Sequence, residues 1–366
     1  MHLSVIILNY KVPFYLLQCI WSVKKAVENI ESEIIVVDNN SEDESCTLVK
    51  KHFPEVILIE NTKNGGFSKG NNQGVKIARG KYICLLNPDT VVSETVFEKT
   101  LLFAEKHEHI GALGVKLIDG RGFFLPESKR NLPTPQIAFQ KLIGNSSKYY
   151  SNLGSDKEGE VDILVGAFML MRKDRYIEVG GLDEDYFMYG EDIDLSYKFL
   201  KFGYKNYYVG SETVLHYKGE STNKDKIYRK RFYGAMQIFY HKHFKQNFFL
   251  NSAVTLALQM AKLRHSFSSA QSEIIDYKQT YWVSKDEKTP RIEGVTFNYL
   301  NPEKISTKKI NNSLFVFDSK FMALKKIFSI MENQKKGQNY FRIKPTNFNF
   351  IIGSDSNTGK GDVIKI

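Results

Sequence analysis

The sequence predicts an α/β fold, a mostly parallel, doubly wound sheet flanked by helices. From residue 3 to about 118, short β-branched runs alternate with longer amphipathic segments, the pattern of successive strand–helix units. Runs such as IIVV and ICLL are apolar throughout, which marks strands covered on both faces. A chain of 366 residues with 42% hydrophobic and 25% charged residues buries a full-sized core, so disorder is excluded.

Taken in order, strands are expected at 4–8, 33–38, 56–60, 81–86 and 110–117, with helices near 13–28, 43–52, 68–79 and 94–107. Residues 119–160 turn polar and rich in turn formers (DGRGFF, LPESKRNLPTP, GNSSKYY) and read as an excursion from the sheet. VDILVGAFMLMRK at 161–173 resumes as one buried strand, followed by a short helix at 174–180, an acid-rich turn, a helix ending at Gly203, and strands at 205–209 and 213–217. The segment 225–265 has helical period, and 276–366 carries short β-like runs (SLFVFD, YFRIKP, FNFIIG, DVIKI), read as a small separate β-rich unit. The expected organisation is a catalytic α/β domain over 1–223, a basic helical extension over 224–275 and the β-rich unit over 276–366.

The net charge of +10 is concentrated: residues 201–280 hold thirteen Lys or Arg against five Asp or Glu. Such a stretch suits an anionic partner or is simply a solvated face. Cys19, Cys46 and Cys84 cannot all pair and match no metal-binding spacing, which predicts a reducing compartment. The opening MHLSVIILNYKVP lacks a basic n-region and reads as a first strand, so a cytoplasmic location is expected. No apolar run reaches the roughly 18 residues of a membrane span.

Five places can carry chemistry, each with a plainer structural alternative. Asp38 ends the second strand at the ligand-facing edge, where it meets a ribose or base, or else caps the next helix. The loop NGGFSKGNNQG at 64–74 runs into a helix N-terminus, suited to a diphosphate or merely to a tight turn. Asp89, in NPD beyond the fourth strand, suits a divalent ion that bridges phosphates. Glu191, Asp192 and Asp194 crowd a helix start, where an acid serves as general base or caps the helix. His216, in HYKGEST, suits a metal or a phosphate, or the core.

In this order and spacing, SVIILNY, VVDNNS, NGGFSKGNNQG, LLNPD, VGAFMLMRKD, GGLDEDYFMYGEDIDLSYK and HYKGEST resemble the inverting glycosyltransferases of family 2, with the GT-A fold, in the rhamnosyltransferase-like branch. The resemblance covers about residues 3–222. It implies a dTDP-, UDP- or GDP-sugar donor, a Mg²⁺ or Mn²⁺ ion, and a glycan or lipid-linked acceptor in cell-surface polysaccharide synthesis. Leu8, Asn9 and Tyr10 would line the nucleotide pocket and Asp38 would hold base or ribose, while Gly66, Lys69 and Asn71 would close over nucleotide and sugar. Asp89 would hold the metal with His216, and Asn87 stands where the family's motif has its first acid. Asp192 would be the base with Glu191 beside it, and Asp194 the runner-up.

Two other classes compete. A Rossmann-type oxidoreductase lacks its GxGxxG after the first strand, where KVPFYL stands, and an inactive nucleotide-sugar-binding protein is supported only by Asn87. Nucleic acid is not an expected partner. In 224–245, Tyr228, Phe232, Ala235, Met236, Phe239 and Tyr240 recur at helical spacing, while Lys224, Lys226, Arg229, Lys230, Arg231, Lys242 and Lys245 supply the charge. This basic amphipathic helix is read as a peripheral membrane contact or as an ordinary helix on the sheet.

Overall fold

The computed structural model describes residues 1–219, 226–244, 277–305, 310–356 and 361–366. Of the segment expected to be helical at 225–265, residues 225 and 245–265 lie outside them, as do residues 220–222.

The first sheet is built from β1 (Leu3–Asn9), β2 (Ser32–Asp38), β3 (Ile57–Glu60), β4 (Tyr82–Leu86), β5 (Thr90–Val92), β6 (Ile110–Ile118), β7 (Glu158–Val161), β8 (Phe168–Arg172) and β9 (Lys205–His216). Its order is β3-β2-β1-β4-β8-β6-β9-β5, with β7 beside β9. The helices are α1 (Pro13–Ala26), α2 (Ser45–His52), α3 (Phe67–Ile77), α4 (Val96–Lys106), α5 (Pro135–Leu142), α6 (Lys173–Glu178), α7 (Glu191–Lys201) and α8 (Lys226–His243). Strands β3, β2, β1 and β4 run parallel, as βαβ crossovers require. Every residue of β1 is buried, as its unbroken apolar run requires.

Strand β8 enters antiparallel between β4 and β6. The single strand expected at 161–173 is therefore two, β7 and β8, separated by an irregular stretch. Residues 163–166 leave the sheet because side chains elsewhere satisfy their backbone. Leu164 N–H donates to Ser196 Oγ (3.2 Å) and Gly166 N–H to Asp192 Oδ2 (3.2 Å). The two strands expected at 205–217 are one, β9, whose pairing with β6 slips between Val115↔Val209 and Lys116↔Thr213, so that 210–212 bulge.

Helix α3 lies close on β1 because glycines face it. A Cβ at Gly70 would sit 2.3 Å from Leu8 Cδ1, and one at Gly74 2.6 Å from Ile6 Cγ2. This contact seats the loop before α3 above the carboxyl end of β1.

The C-terminal residues form a second, six-stranded sheet among the described residues, ordered β11-β10-β12-β13-β14-β15. Its strands are β10 (Gln279–Val283), β11 (Phe297–Leu300), β12 (Ser313–Asp318), β13 (Tyr340–Lys344), β14 (Phe350–Gly353) and β15 (Asp362–Lys365). The pairs β10–β11, β10–β12 and β12–β13 are parallel, and the sequence reading missed the helix α9 (Leu324–Gln334).

This unit does not stand apart, since Phe315, Phe328 and Ile352 share one buried cluster with Val5, Phe97 and Leu215. Polar contacts complete the junction. Tyr15 donates to the Gly353 carbonyl (3.1 Å), Lys116 pairs with Glu332 (2.7 Å) and Lys325 with Glu212 (3.1 Å). Both carboxylate oxygens of Glu94 accept from the first turn of α9, at Leu324 N (2.7 Å) and Lys325 N (3.2 Å), a helix cap supplied from the other sheet. Glu94→Ala should therefore lower stability by about 0.5–2 kcal/mol, the usual cost of a lost cap. Urea unfolding of the two proteins checks this, and equal midpoints would refute the capping role.

Candidate active site

The carboxyl ends of β1 and β4 and the N-terminus of α7 open onto one cavity of about 320 Å³. Asn87, Asp89 and His216 are among its lining residues. The pairing of β5 with β9 sets Thr90 opposite His216, and Tyr217 N–H donates to the Asp89 carbonyl (3.0 Å). Asp89 Oδ1 thus lies 3.4 Å from His216 Nε2, both side chains buried. Asn87 Nδ2 is 3.5 Å from the same nitrogen, and Asn87 Oδ1 and His216 Nδ1 are buried without hydrogen-bond partners.

These atoms bear on the implied metal. No cluster of three His, Cys, Asp or Glu ligands exists among the described residues. One carboxylate, one imidazole and an orphaned amide oxygen nevertheless fit a Mg²⁺-type ion, which is held by one or two carboxylates and completed by substrate phosphates and water.

The acid pair lines the same cavity. Gly190 precedes α7 with φ 79° and Tyr189 is left-handed at φ 72°, a backbone turn that presents Glu191 and Asp192 to the cavity. Asp192 Oδ2 accepts from the Arg130 guanidinium (2.7 Å) and from Gly166 N–H. Burial works against the charge of Arg130, but Asp192 and Tyr149 outweigh it and the guanidinium stays cationic. Glu191 Oε2 is buried without a hydrogen-bond partner. Burial, and secondly the charge of Asp192, push the Glu191 carboxyl up to about 8.

Asp194, the runner-up base, lies outside the cavity lining. It accepts from His243 (2.7 Å) and pairs with Lys198 (3.1 Å), which together hold its carboxyl below the usual range although burial opposes this. Its role is to bind α7 to α8.

Of the residues singled out from sequence, Leu8, Tyr10, Gly66, Asn87, Asp89, Glu191, Asp192 and His216 line the cavity, while Asn9, Asp38, Lys69 and Asn71 do not. The Asp38 carboxylate is occupied by Asn9 Nδ2 (2.8 Å), Ser41 N–H (2.9 Å) and the Ser41 hydroxyl (2.6 Å), and its neighbour Asn39 lines the cavity instead. Asn71 donates to the Phe67 carbonyl within α3 (3.0 Å), and the Lys69 stem lies along Gly65.

The glycine loop is held by an acid-rich turn. Phe67 N–H donates to the Phe187 carbonyl (2.6 Å), and Gly66, at φ 89°, cannot carry a Cβ because it would meet that oxygen at 2.5 Å.

Sequence reading missed Glu127, Arg130 and Tyr149 from the excursion, Lys218 beyond β9, and Phe232 and Met236 from α8, all of which line the cavity. Only the helical spacing of Phe232 and Met236 signalled a buried face. Glu127 and Lys218 form an ion pair at the lip. The charges of α8 are partly used inside the protein: Lys242 pairs with Asp183 and Asp185, and Arg231 lies over Phe187, 4.3 Å from the ring centre.

The α/β sheet thus brings Asn87, Asp89 and His216 and the acid pair Glu191 and Asp192 onto one cavity. Residues 4–180 match the family model of glycosyl transferase family 2, so the chain carries a domain of that family. It is 27% identical over 241 residues to an N-acetylglucosaminyl-diphospho-decaprenol L-rhamnosyltransferase of Mycobacterium tuberculosis, covering 61% of this chain and 78% of the relative. It is 26% identical over 212 residues to the rhamnosyltransferase WbbL of Escherichia coli, covering 53% and 78%. Among solved structures, S. aureus TarS aligns at 17% identity and a TM-score of 0.46 over 71% of each chain.

The Glu191 environment makes stability depend on pH. The folded protein holds a proton that the unfolded chain releases near 4.5, so stability falls as pH rises from 4.5 to about 8. Glu191→Gln should flatten that slope and raise the melting temperature at pH 8 more than at pH 5. Thermal unfolding across this range checks it, and parallel pH profiles would refute it.

Proposed function

We propose that the protein is an inverting glycosyltransferase that moves a sugar from a nucleoside diphosphate sugar to a hydroxyl of a glycan or lipid-linked acceptor in cell-surface polysaccharide synthesis. One observation carries the reading: Asp89 with His216, and Asp192 with Glu191, line one and the same cavity. The rhamnosyltransferases among its relatives support a deoxyhexosyl donor.

In this reading Asp192 takes the proton of the acceptor hydroxyl as that oxygen bonds to the anomeric carbon. The bond from that carbon to the diphosphate breaks on the opposite face, its electron pair leaves with the diphosphate, and one displacement inverts the centre. Asp89 and His216 would hold a divalent cation whose chemistry is to neutralise charge on the departing diphosphate. Leu8, Tyr10, Asn39 and Gly66 form the wall against which the nucleotide packs. Tyr149, Tyr189, Phe232 and Met236 give the acceptor an apolar wall that excludes water.

Asp192→Asn keeps shape and removes basicity, so turnover of dTDP-rhamnose, UDP-glucose or GDP-mannose should fall by about two to four orders of magnitude with donor affinity little changed. Asp89→Ala should instead lose the thermal stabilisation that the nucleotide gives in Mn²⁺. Full turnover in Asp192→Asn, or undiminished stabilisation in Asp89→Ala, would defeat the assignment.

A cytoplasmic protein in peripheral contact with the membrane belongs to the same proposal. No helix among the described residues is long and apolar enough to cross a membrane. Phe139 of α5 and Ile143 just after it are 45% and 67% exposed, and Tyr240 of α8 donates to the Pro133 carbonyl beneath them (2.9 Å). Exposed Lys148 and Lys230 flank the same layer, so apolar and cationic contacts add. The protein should sediment with anionic vesicles, and Phe139→Ser with Ile143→Ser should reduce this at least severalfold. Equal partitioning of the variant would discount the surface.

A further inference from the structure

Arg130 comes from the excursion between β6 and β7, far from the acid pair in sequence. Its backbone is clamped to the irregular stretch before β8, with Arg130 N–H donating to the Ile163 carbonyl (2.9 Å) and Ile163 N–H to the Arg130 carbonyl (3.0 Å). Its guanidinium donates to the Leu164 carbonyl and to Asp192 Oδ2. The remaining Asp192 oxygen accepts Ile193 N–H at 2.8 Å. Arg130 and Asp192 have side chains only 8% and 12% exposed, so solvent screens the pair little.

We propose that Arg130 is a positioning residue: its guanidinium makes Asp192 the ionised member of the acid pair and leaves the proton to Glu191. The assignment rests on glycosyl transfer at this site and deepens it.

Two adjacent, buried carboxyls do not both ionise cheaply. Left alone they share a proton, and neither has a fixed role. A cation against one of them breaks the symmetry. Asp192 has Arg130 and the Gly166 N–H, whereas Glu191 has a buried oxygen with no partner. The other charged or titratable groups around the pair are Tyr149 beside Arg130, Lys141 behind Tyr149, Glu127 in its pair with Lys218, Tyr186 beside Glu191 and Asp194, Asp194 in its pair with His243 and Lys198, and Asp89 with His216 on the same cavity. Only Arg130 places a cation in hydrogen-bond contact with either acid among these groups. The result is one carboxylate, held ionised, whose Oδ1 has Ile193 N–H as its hydrogen-bond donor and keeps a lone pair for the acceptor proton, and one neutral carboxyl able to donate a hydrogen bond to the acceptor.

The test uses the full chain with dTDP-rhamnose, UDP-glucose and GDP-mannose as donors, water as acceptor, and pH 5 to 10. Arg130→Gln keeps a hydrogen-bond donor and removes the charge. The acid limb of its pH–rate profile should move up by about 1–3 units, because the uncompensated pair holds its proton longer. Its kcat at pH 7 should fall at least about tenfold with donor KM within about twofold. Arg130→Lys should keep the limb near its original position. Adding Glu191→Gln to Arg130→Gln should shrink the shift, since one carboxyl no longer competes with the other.

A limb that stays in place in Arg130→Gln overturns the proposal and leaves glycosyl transfer standing. Should Arg130→Gln fail to fold, a limb displaced by a full unit in Arg130→Lys overturns it equally. A parent protein that turns over none of the donors and gains no thermal stability from dTDP, UDP or GDP overturns the transfer reading, and this assignment with it.

Discussion

The antiparallel insertion of β8 between β4 and β6 is the constraint on which the cavity depends. A parallel strand there would bring its own crossover helix and leave the carboxyl edge open. Instead the chain before β8 crosses that edge as an irregular stretch. Asn87 N–H donates to the Ala167 carbonyl (3.0 Å), which ties the stretch to the turn that carries Asp89. Leu164 and Gly166 donate to side chains of α7, which ties it to the helix of the acid pair. Both groups of cavity side chains are thus held by the backbone of residues 162–167.

Buried charge is matched pair by pair. Arg130 meets Asp192, Lys218 meets Glu127, Asp194 meets His243 and Lys198, and Lys116 meets Glu332 and Asp156. Such pairs are weak sources of net stability, but breaking one leaves an uncompensated buried ion. Their geometric value is larger here, because all but Asp194–Lys198, one turn apart in α7, join segments distant in sequence. The basic helix α8 illustrates the same economy. Its positive groups hold the acid-rich turn that in turn holds the glycine loop, so part of the charge excess is consumed in building the site rather than offered to a partner.

The second sheet bears on the site through its support. Tyr15 of α1 donates to the Gly353 carbonyl and packs edge-on against Tyr217, 5.1 Å between ring centres. Tyr217 follows His216 directly and donates to the Asp89 carbonyl. The C-terminal residues thus brace the strand that carries the imidazole, from the side opposite the cavity.

Local chemistry was enough to read β1 to β4, β6 and helices α1 to α4, since apolar runs and helical periods are properties of neighbouring residues, but not the short β5, α5 or the division of 158–172 into β7 and β8. It was also enough to find Asp89, Glu191, Asp192 and His216, because acids and a histidine at strand ends and helix starts stand where an α/β sheet presents ligands. What tertiary structure decided was the use of each group. Asp38 looked like a nucleotide ligand until Asn9 and Ser41 were seen to occupy its carboxylate. Asp194 looked equivalent to Asp192 until His243, 49 residues away, was seen to claim it. Arg130, 62 residues from Asp192, lay in a polar excursion with no periodicity to mark it. Hydrogen bonds and charge pairs across such separations leave no trace in local pattern. They depend on which segments the β8 insertion and the α7–α8 packing bring together.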